Sequence, residues 1–462
     1  MSVSADTSET LRRSGQLLRI LGVGFGIAVG VGTTIGGGIL RTPGEVAGYL
    51  GTAQLTFAVW LAGGLYALLC SNAVTELAIM LPRAGGWYVY SQRAFGKRVG
   101  FVVGCCDWMM MSVSNAFLSV ALGELAAEQF PGLSEHVTSV AIAGMSALAL
   151  LNLIGLRTGS RTQTITSLVK ALALIALVIG CFTVSSNALS APTAAHPPTH
   201  HSGLLLGWLL ASQAVLLTYD GYYAPMYFAE EDQNPARNLP RSMIGTVLSC
   251  IAIFLLVNAA LIQSMGMERL QLSRMPAADA SLLVFGSYGR QIILVISAIT
   301  LISTINANIL TAPRVLFGMA RDRLLPRSLT AINQGGTPVW ALVLCLLVSV
   351  ALIFSGTIET LIAISSILMV AVYVSGFVSL LVLRRREPHL PRPYRAWWYP
   401  WSTVCVLVVS AAFLFGAVIG DLRHALFTVI LVALSYLASH LIVRRSVEAA
   451  APVGQSAPPR TS

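Results

Sequence analysis

Apolar runs of roughly 20 residues follow one another along almost the whole chain, parted by short polar stretches, and each is long enough to cross a bilayer as a helix. About twelve can be read, near 20–40, 52–80, 100–127, 137–156, 162–186, 203–229, 242–265, 285–319, 338–355, 358–383, 402–420 and 424–443. The pattern predicts an all-α membrane protein. Two runs are interrupted: Gly36-Gly37-Gly38 breaks the first, and Tyr219-Asp220-Gly221 breaks the sixth. A helix in lipid must satisfy its own backbone groups, so such breaks survive only where they are buried in protein or line a cavity. Glycine stretches also let helices pack closely, and Gly22, Gly24, Gly26, Gly30 and Gly32 suit that role. Three consecutive glycines add flexibility without adding a packing face, so the triplet reads as unwound.

Two interrupted segments at corresponding places in two halves point to the binding site of a secondary transporter. The breaks lie five spans apart. That spacing predicts two five-helix repeats of opposite topology, with helices 1 and 6 discontinuous and two C-terminal helices outside the repeat. The organisation read along the chain is a cytoplasmic tail (1–19), a first repeat (20–186), a second repeat (203–384), helices 11 and 12 (401–443) and a second cytoplasmic tail (444–462). The Pro/His-rich connection 187–202 reads as irregular, with His200 and His201 in a solvent-exposed loop. The Ser/Ala/Pro-rich stretches 1–14 and 446–462 read as disordered.

Composition and charge agree with a membrane setting. The chain is 55% hydrophobic and 10% charged, against about 25% charged residues in a soluble domain. The net charge of +10 would suit a nucleic-acid binder, but its distribution argues against one. With the N-terminus inside and sides alternating, only Arg41, Arg269, Arg274, Arg290 and Arg423 fall outside, and Lys170 and Arg314 lie within spans. Every other basic residue falls inside. This is the positive-inside pattern, and it places both termini in the cytoplasm of an inner, or plasma, membrane. Arg12, Arg13 and Arg19 precede the first apolar run, but no small-residue cleavage site follows it, so the first helix is expected to be retained. The seven cysteines fall in apolar segments without CxxC spacing and read as packing residues. No metal or cofactor is expected. Nor is an enzyme: catalytic His/Asp/Glu or Cys/His spacing is lacking, and the glycine triplet is not followed by the Lys-Ser/Thr of a nucleotide loop.

The breaks carry their own chemistry. Unwinding exposes backbone N–H groups at the start of the next half-helix, and these donors with the positive helix end favour a carboxylate. The amides of Gly36, Gly37 and Gly38 are the candidates, since glycine lets a ligand approach the backbone. Carbonyls ending the first half of span six would suit an ammonium group. Donors on one side and acceptors on the other fit an α-amino acid zwitterion.

Four stretches resemble one family in order along the chain: TTIGGGILRTPGEVA (Thr33 to Ala47), TYDGYYAPMYFAEEDQNPARNLPRS (Thr218 to Ser242), NILTAPRVLFGMARDRLLP (Asn308 to Pro326) and RRREPHLPRPYRAWWYP (Arg384 to Pro400). They are similar to the first helix, the sixth helix with its loop, the eighth helix and the loop before the eleventh of the amino acid–polyamine–organocation superfamily. Within it the chain looks closest to bacterial relatives of the L-type amino acid transporters. The resemblance implies the inverted-repeat fold and an amino acid substrate. It assigns the carboxylate to the amides near Gly37 and Gly38. It assigns the amino group to the carbonyl of Thr34 and to those of Leu217, Thr218 and Asp220. Two departures stand out. Many relatives have Phe-Ala-Tyr leading into the second break, the Phe serving as an aromatic lid, where this chain has Leu217-Thr218-Tyr219. Relatives often carry Trp where this chain has Tyr222.

Lys170, one of two lysines, sits inside span five. An ionisable residue in the membrane is costly and is by default a functional candidate; the alternative is snorkelling to the inner interface. In sodium-coupled members of the fold a cation ties helix 1 to helix 8, and in sodium-independent relatives a lysine resembling Lys170 in position replaces it. Its expected partners are carbonyls near the first break and Ser303 or Thr304, as a fixed tether or a proton carrier. Asp220 either meets a cationic substrate or holds local backbone. Asn115 on span three either lines the pocket or bonds a neighbouring helix. Asp107 lies beside Trp108 without an assigned role. Glu76 and Glu124 are expected to pair with loop arginines. Glu230, Glu231, Arg237 and Arg241 are expected to form an inner charge network with Arg314, Arg321 and Asp322. The reading is a sodium-independent amino acid transporter, an exchanger or a proton symporter, for neutral substrates as Leu217 and the tyrosines suggest. The competing readings are a cationic amino acid or polyamine carrier and a transporter-like sensor. Lipid is expected around it, and the sequence is silent on any oligomeric partner.

Overall fold

A computed structural model describes residues 17–183, 203–355 and 357–448. His200, His201 and the outermost parts of both tails lie outside the described residues. Sixteen α-helices make up the described chain. The first half holds α1 (Val23–Thr34), α2 (Gly38–Leu50), α3 (Ala53–Met80), α4 (Trp87–Phe95), α5 (Lys97–Gln129), α6 (Val137–Ile154) and α7 (Leu156–Phe182). The second holds α8 (Leu204–Thr218), α9 (Pro235–Met265), α10 (Met267–Leu272), α11 (Pro276–Phe285), α12 (Gly289–Arg321), α13 (Val339–Ile353) and α14 (Ile358–Arg386). α15 (Trp401–Gly420) and α16 (Leu422–Glu448) follow. α16 thus runs past residue 443, where the apolar run ends, because its last turns are helical although polar.

Nine helical stretches among the described residues are long and apolar enough to cross a membrane, and α1 with α2, bent by 48° at the glycine triplet, makes a tenth. At the sixth and ninth expected spans stand the shorter apolar helices α8 and α13, which are not among those ten. The protein is therefore a multi-pass integral membrane protein. Its outer faces agree: Leu168, Leu172 and Ile179 on α7 and Leu426, Leu434 and Leu437 on α16 are all more than half exposed, the reverse of a soluble surface.

The two halves share an order: a broken span, a long helix, one or two short helices, then long helices. Equivalent members pack on each other, α3 on α9 and α5 on α12. α1 fits into this bundle through its glycines. A Cβ at Gly26 or Gly30 would collide with Ser242 or Thr246 of α9, and one at Gly32 with Gln163 and Ser167 of α7. Gly22 and Gly24 face open space instead, so the packing role belongs to three of the five glycines in that run.

Candidate functional site

α1 ends at Thr34 because the chain unwinds there. The Ile35 N–H still reaches back to the Val31 carbonyl (2.9 Å), and the Gly36 N–H turns onto the Thr34 carbonyl (2.9 Å). α2 then starts at Gly38, so Gly37 and Gly38 head a helix whose first N–H groups lack intrahelical acceptors. The second break ends α8 at Thr218. Val215 and Leu217 carbonyls accept from the Tyr219 (3.0 Å) and Asp220 (3.3 Å) amides, and the chain resumes as the short 3-10 segment Ala224–Phe228.

The breaks touch. Thr33 Oγ1 donates to the Gly221 carbonyl at 2.9 Å. Gly221 has φ +105°, and a Cβ there would lie 2.8 Å from the backbone of Thr33 and Thr34, so only glycine fits the crossing. Gly36 and Gly37 differ: an added Cβ would meet nothing within 4 Å. The space at Gly36 belongs to a cavity of about 470 Å³ beside the breaks, between α2 and α8, whereas Gly37 is not among the residues that line it. Thr34, Gly36, Gly38, Leu217, Thr218 and Asp220 line it, as expected from the sequence. Thr42, Glu45, Tyr49 and Gln213 line it as well. Tyr222 lines a separate small cavity of about 30 Å³ with Tyr66 and Tyr373, and Asp220 borders both. Asn115 is buried on α5 and lies outside both linings.

Two hydroxyls and two acids shape the walls. Thr218 Oγ1 bonds the Ala214 carbonyl (2.9 Å) and Thr42 Oγ1 (3.2 Å), joining α8 to α2. Glu45 accepts from the Tyr49 hydroxyl at 3.0 Å. Asp220 accepts from the Tyr373 hydroxyl of α14. Both acids facing the cavity therefore already hold a phenol.

Lys170 is fully buried, which excludes snorkelling. Its Nζ donates to the Gly32 carbonyl (2.8 Å) and the Ile35 carbonyl (2.6 Å), bracketing the end of α1. Thr304 of α12 donates to the same Gly32 carbonyl at 3.3 Å. Ser303 instead joins Gln163 and Ser167 of α7, each at 3.3 Å. The lysine thus reaches the break directly, and α12 reaches it through a shared carbonyl.

Beyond the breaks, on the side of α1, lies a cluster of ion pairs. Arg314 pairs with Glu231 at 3.0 Å, both buried, and Arg321 pairs with Glu230 at 2.6 Å. Glu230 also accepts from the Ala84 amide (2.8 Å), while Asp322 holds Arg83 (2.8 Å) and the Tyr88 hydroxyl (2.9 Å). The strand-like residue Leu21 bonds Glu231 and Gln233 backbone on either side. Arg237 and Arg241, expected in this network, are exposed at the start of α9, and Arg83 takes the place assigned to them. Glu76 is buried and binds Arg384 (2.5 Å) and Arg392 (3.4 Å) of the basic loop. Glu124 is exposed; the ion pair at that end of α5 is Glu128–Arg290.

Sequence reading missed Thr42, Glu45, Tyr49, Gln213 and Tyr373. A signal existed for the first three, since Gly38, Thr42, Glu45 and Tyr49 recur at helical spacing on one face of α2. Tyr373 carried none.

Comparison with known proteins fits this geometry. A family model described as amino acid permease matches residues 19–436. The chain is 26% identical to the serine/threonine exchanger SteT of Bacillus subtilis, over 88% of this chain and 92% of that one. It is 28% identical to the Asc-type amino acid transporter 1 of Homo sapiens (79% and 71%). It is 27% identical to the mitochondrial cationic amino acid transporter 3 of Arabidopsis thaliana (71% and 56%).

Proposed function

The chain belongs to the amino acid permease family, and on that premise we propose a sodium-independent secondary active transporter for small neutral amino acids. As a member of that family it is a membrane amino acid transporter and not an enzyme. The finer reading places it in the plasma (inner) membrane, surrounded by lipid, with both termini in the cytoplasm, as the distribution of basic residues supports.

The observation that carries the reading is the cavity at the crossing of the two breaks. The N-terminal amides of α2, at Gly37 and Gly38, meet the substrate carboxylate, and the carbonyl ends of α1 and α8 meet its ammonium group. The Thr34 carbonyl is engaged by Gly36 and the Leu217 carbonyl by Asp220. A carbonyl oxygen has two lone pairs, so each retains room for a second donor. Thr42, Thr218 and Gln213 surround the substrate side chain with uncharged hydrogen-bonding groups. Glu45 and Asp220 are each held by a tyrosine, which favours a neutral substrate over a cationic one or a polyamine. The serine/threonine exchanger among the relatives points the same way.

Sodium independence is supported by Lys170, whose Nζ holds the Gly32 and Ile35 carbonyls at the end of α1 beside Thr304 of α12, where the family resemblance puts a cation in sodium-coupled members. Alternating access then consists of opening the α1 side, where Arg314–Glu231 and Arg321–Glu230 hold the closed arrangement, while α2 and α8 close over the cavity. The test is a thermal-shift screen of the purified protein against all common amino acids. Serine, threonine and alanine should give the largest stabilisation by binding the folded state. No shift with any amino acid, or a shift confined to arginine and lysine, sinks the reading.

A further inference from the structure

Asp107 is a fully buried acid that nothing above uses. It lies on α5, ten residues from the start of that helix, or about 15 Å along its axis. One carboxylate oxygen, Oδ1, accepts from the Tyr227 hydroxyl at 2.7 Å. The other, Oδ2, has no hydrogen-bond partner among the described residues. The titratable groups that interact with Asp107 among the described residues include Tyr90 from α4, Tyr223 and Tyr227 from the segment after the second break, and Cys106 on α5 itself. None of these is a cation. The arginines of α12, Arg314 and Arg321, are committed to Glu231 and Glu230. A buried carboxylate with half its acceptors empty and no counter-charge is far more costly than the neutral acid.

Its surroundings connect it to both sides of the carrier. Toward the cavity, the Tyr223 ring lies 6.1 Å from that of Tyr227 and 5.2 Å from that of Tyr373, and the Tyr373 hydroxyl donates to cavity-lining Asp220. The two acids thus lie at opposite ends of a cluster of packed tyrosine rings, and of the two only Asp220 borders the cavity. Toward the closed side, Tyr227 belongs to the segment Ala224–Phe228, which leads directly into Glu230 and Glu231 of the ion-pair gate. The hydroxyl that holds Asp107 therefore sits three residues from the first of these acids.

We propose that Asp107 is a proton-binding site that makes the carrier a proton–amino acid symporter. In the arrangement seen here Oδ2 carries a proton that arrives from the cavity by way of Asp220 and the tyrosines. When the gate opens, water reaches Asp107, the carboxylate becomes solvated, and the proton leaves to the cytoplasmic side with the substrate. The net event is the transfer of one proton per cycle, with no bond to carbon, nitrogen or sulfur made or broken. The inference rests on the transport reading above.

The experiment uses the full chain in proteoliposomes with a pH-sensitive dye inside and L-threonine and L-serine as probes. Wild-type protein should acidify the lumen on substrate addition and accumulate substrate when the outside is acidic. Asp107→Asn should lose at least tenfold of both while keeping the substrate-induced thermal shift, the sign of a folded protein with an intact cavity. Tyr227→Phe retains the acid without its donor, so acidification should persist with its half-maximal pH displaced. Wild-type counterflow without acidification overturns the proposal and leaves the transport reading standing. Acidification that survives in D107N, or an unmoved pH profile in Y227F, overturns it too. Absence of counterflow in the wild type overturns both.

Discussion

Gly36 and Gly221 belong to the two facing breaks, yet alanine at the two positions should produce opposite failures. At Gly221 the substitution places a side chain at φ +105°, where L-residues are disfavoured by about 1–2 kcal/mol. It also drives a Cβ to 2.8 Å from the Thr33 and Thr34 backbone, which cannot rotate away. Overpacking of that kind adds about 1–3 kcal/mol. The sum, about 2–5 kcal/mol, falls on the fold, and G221A should melt several degrees below wild type with or without substrate. At Gly36 an added methyl meets no protein atom within 4 Å, and the residue does not sit in the left-handed region. The fold should barely notice, and a less flexible unfolded chain can even raise the melting point slightly. The methyl projects into the cavity, where a clash of about 1–3 kcal/mol with bound substrate means roughly 5- to 150-fold weaker binding. Scanning fluorimetry of both variants, titrated with the amino acid that stabilises wild type most, separates the effects. Wild-type affinity in G36A would show that substrate does not pass the glycine triplet. A melting point in G221A equal to wild type would remove the close crossing of the two breaks.

Two further outcomes follow from the charges around the breaks. Replacing sodium by choline should leave wild-type uptake unchanged. Lys170→Met should cut it at least tenfold, because the two carbonyls at the end of α1 lose charge-assisted bonds of about 1.5–3 kcal/mol each; sodium-dependent uptake, or full activity in K170M, contradicts the tether. Arg314→Met should destabilise the protein by about 3–5 kcal/mol by leaving buried Glu231 uncompensated, and the double variant R314M/E231L should recover much of that loss; additive effects of the two changes in a double-mutant cycle would disprove the coupling.

Much of the site was legible because backbone breaks in a membrane segment have few explanations. Gly36-Gly37-Gly38 and Tyr219-Asp220-Gly221 each interrupt an apolar run, and the structure brings them within hydrogen-bond distance at Thr33 and Gly221. Lys170 stood out for a similar reason, as a charge where solvent is absent. The inner network was harder. Glu230 and Glu231 were identifiable as acids, but their partners depend on how α12 lies against the loop. The nearby arginines in sequence, Arg237 and Arg241, point to solvent, whereas Arg314 arrives from 83 residues away. Asn115 shows the limit for neutral polar residues: on a helix surrounded by others, its direction is set by packing angles that a single run of residues does not encode. Tyr373 shows the same limit from the opposite side, since one aromatic among many apolar neighbours gives no hint that it will meet Asp220.

The tether role proposed for Lys170 also bears on where the work of transport can come from. A cation that belongs to the chain cannot be diluted away, so on the proposed tether role the end of α1 should be held equally well in fresh water and in brine. The same permanence removes a source of energy. A dissolved ion brings its gradient with it each time it binds and departs, whereas a tethered side chain returns every cycle to the state it left. Uphill movement in this carrier must therefore draw on something that does leave, either a second solute or a proton.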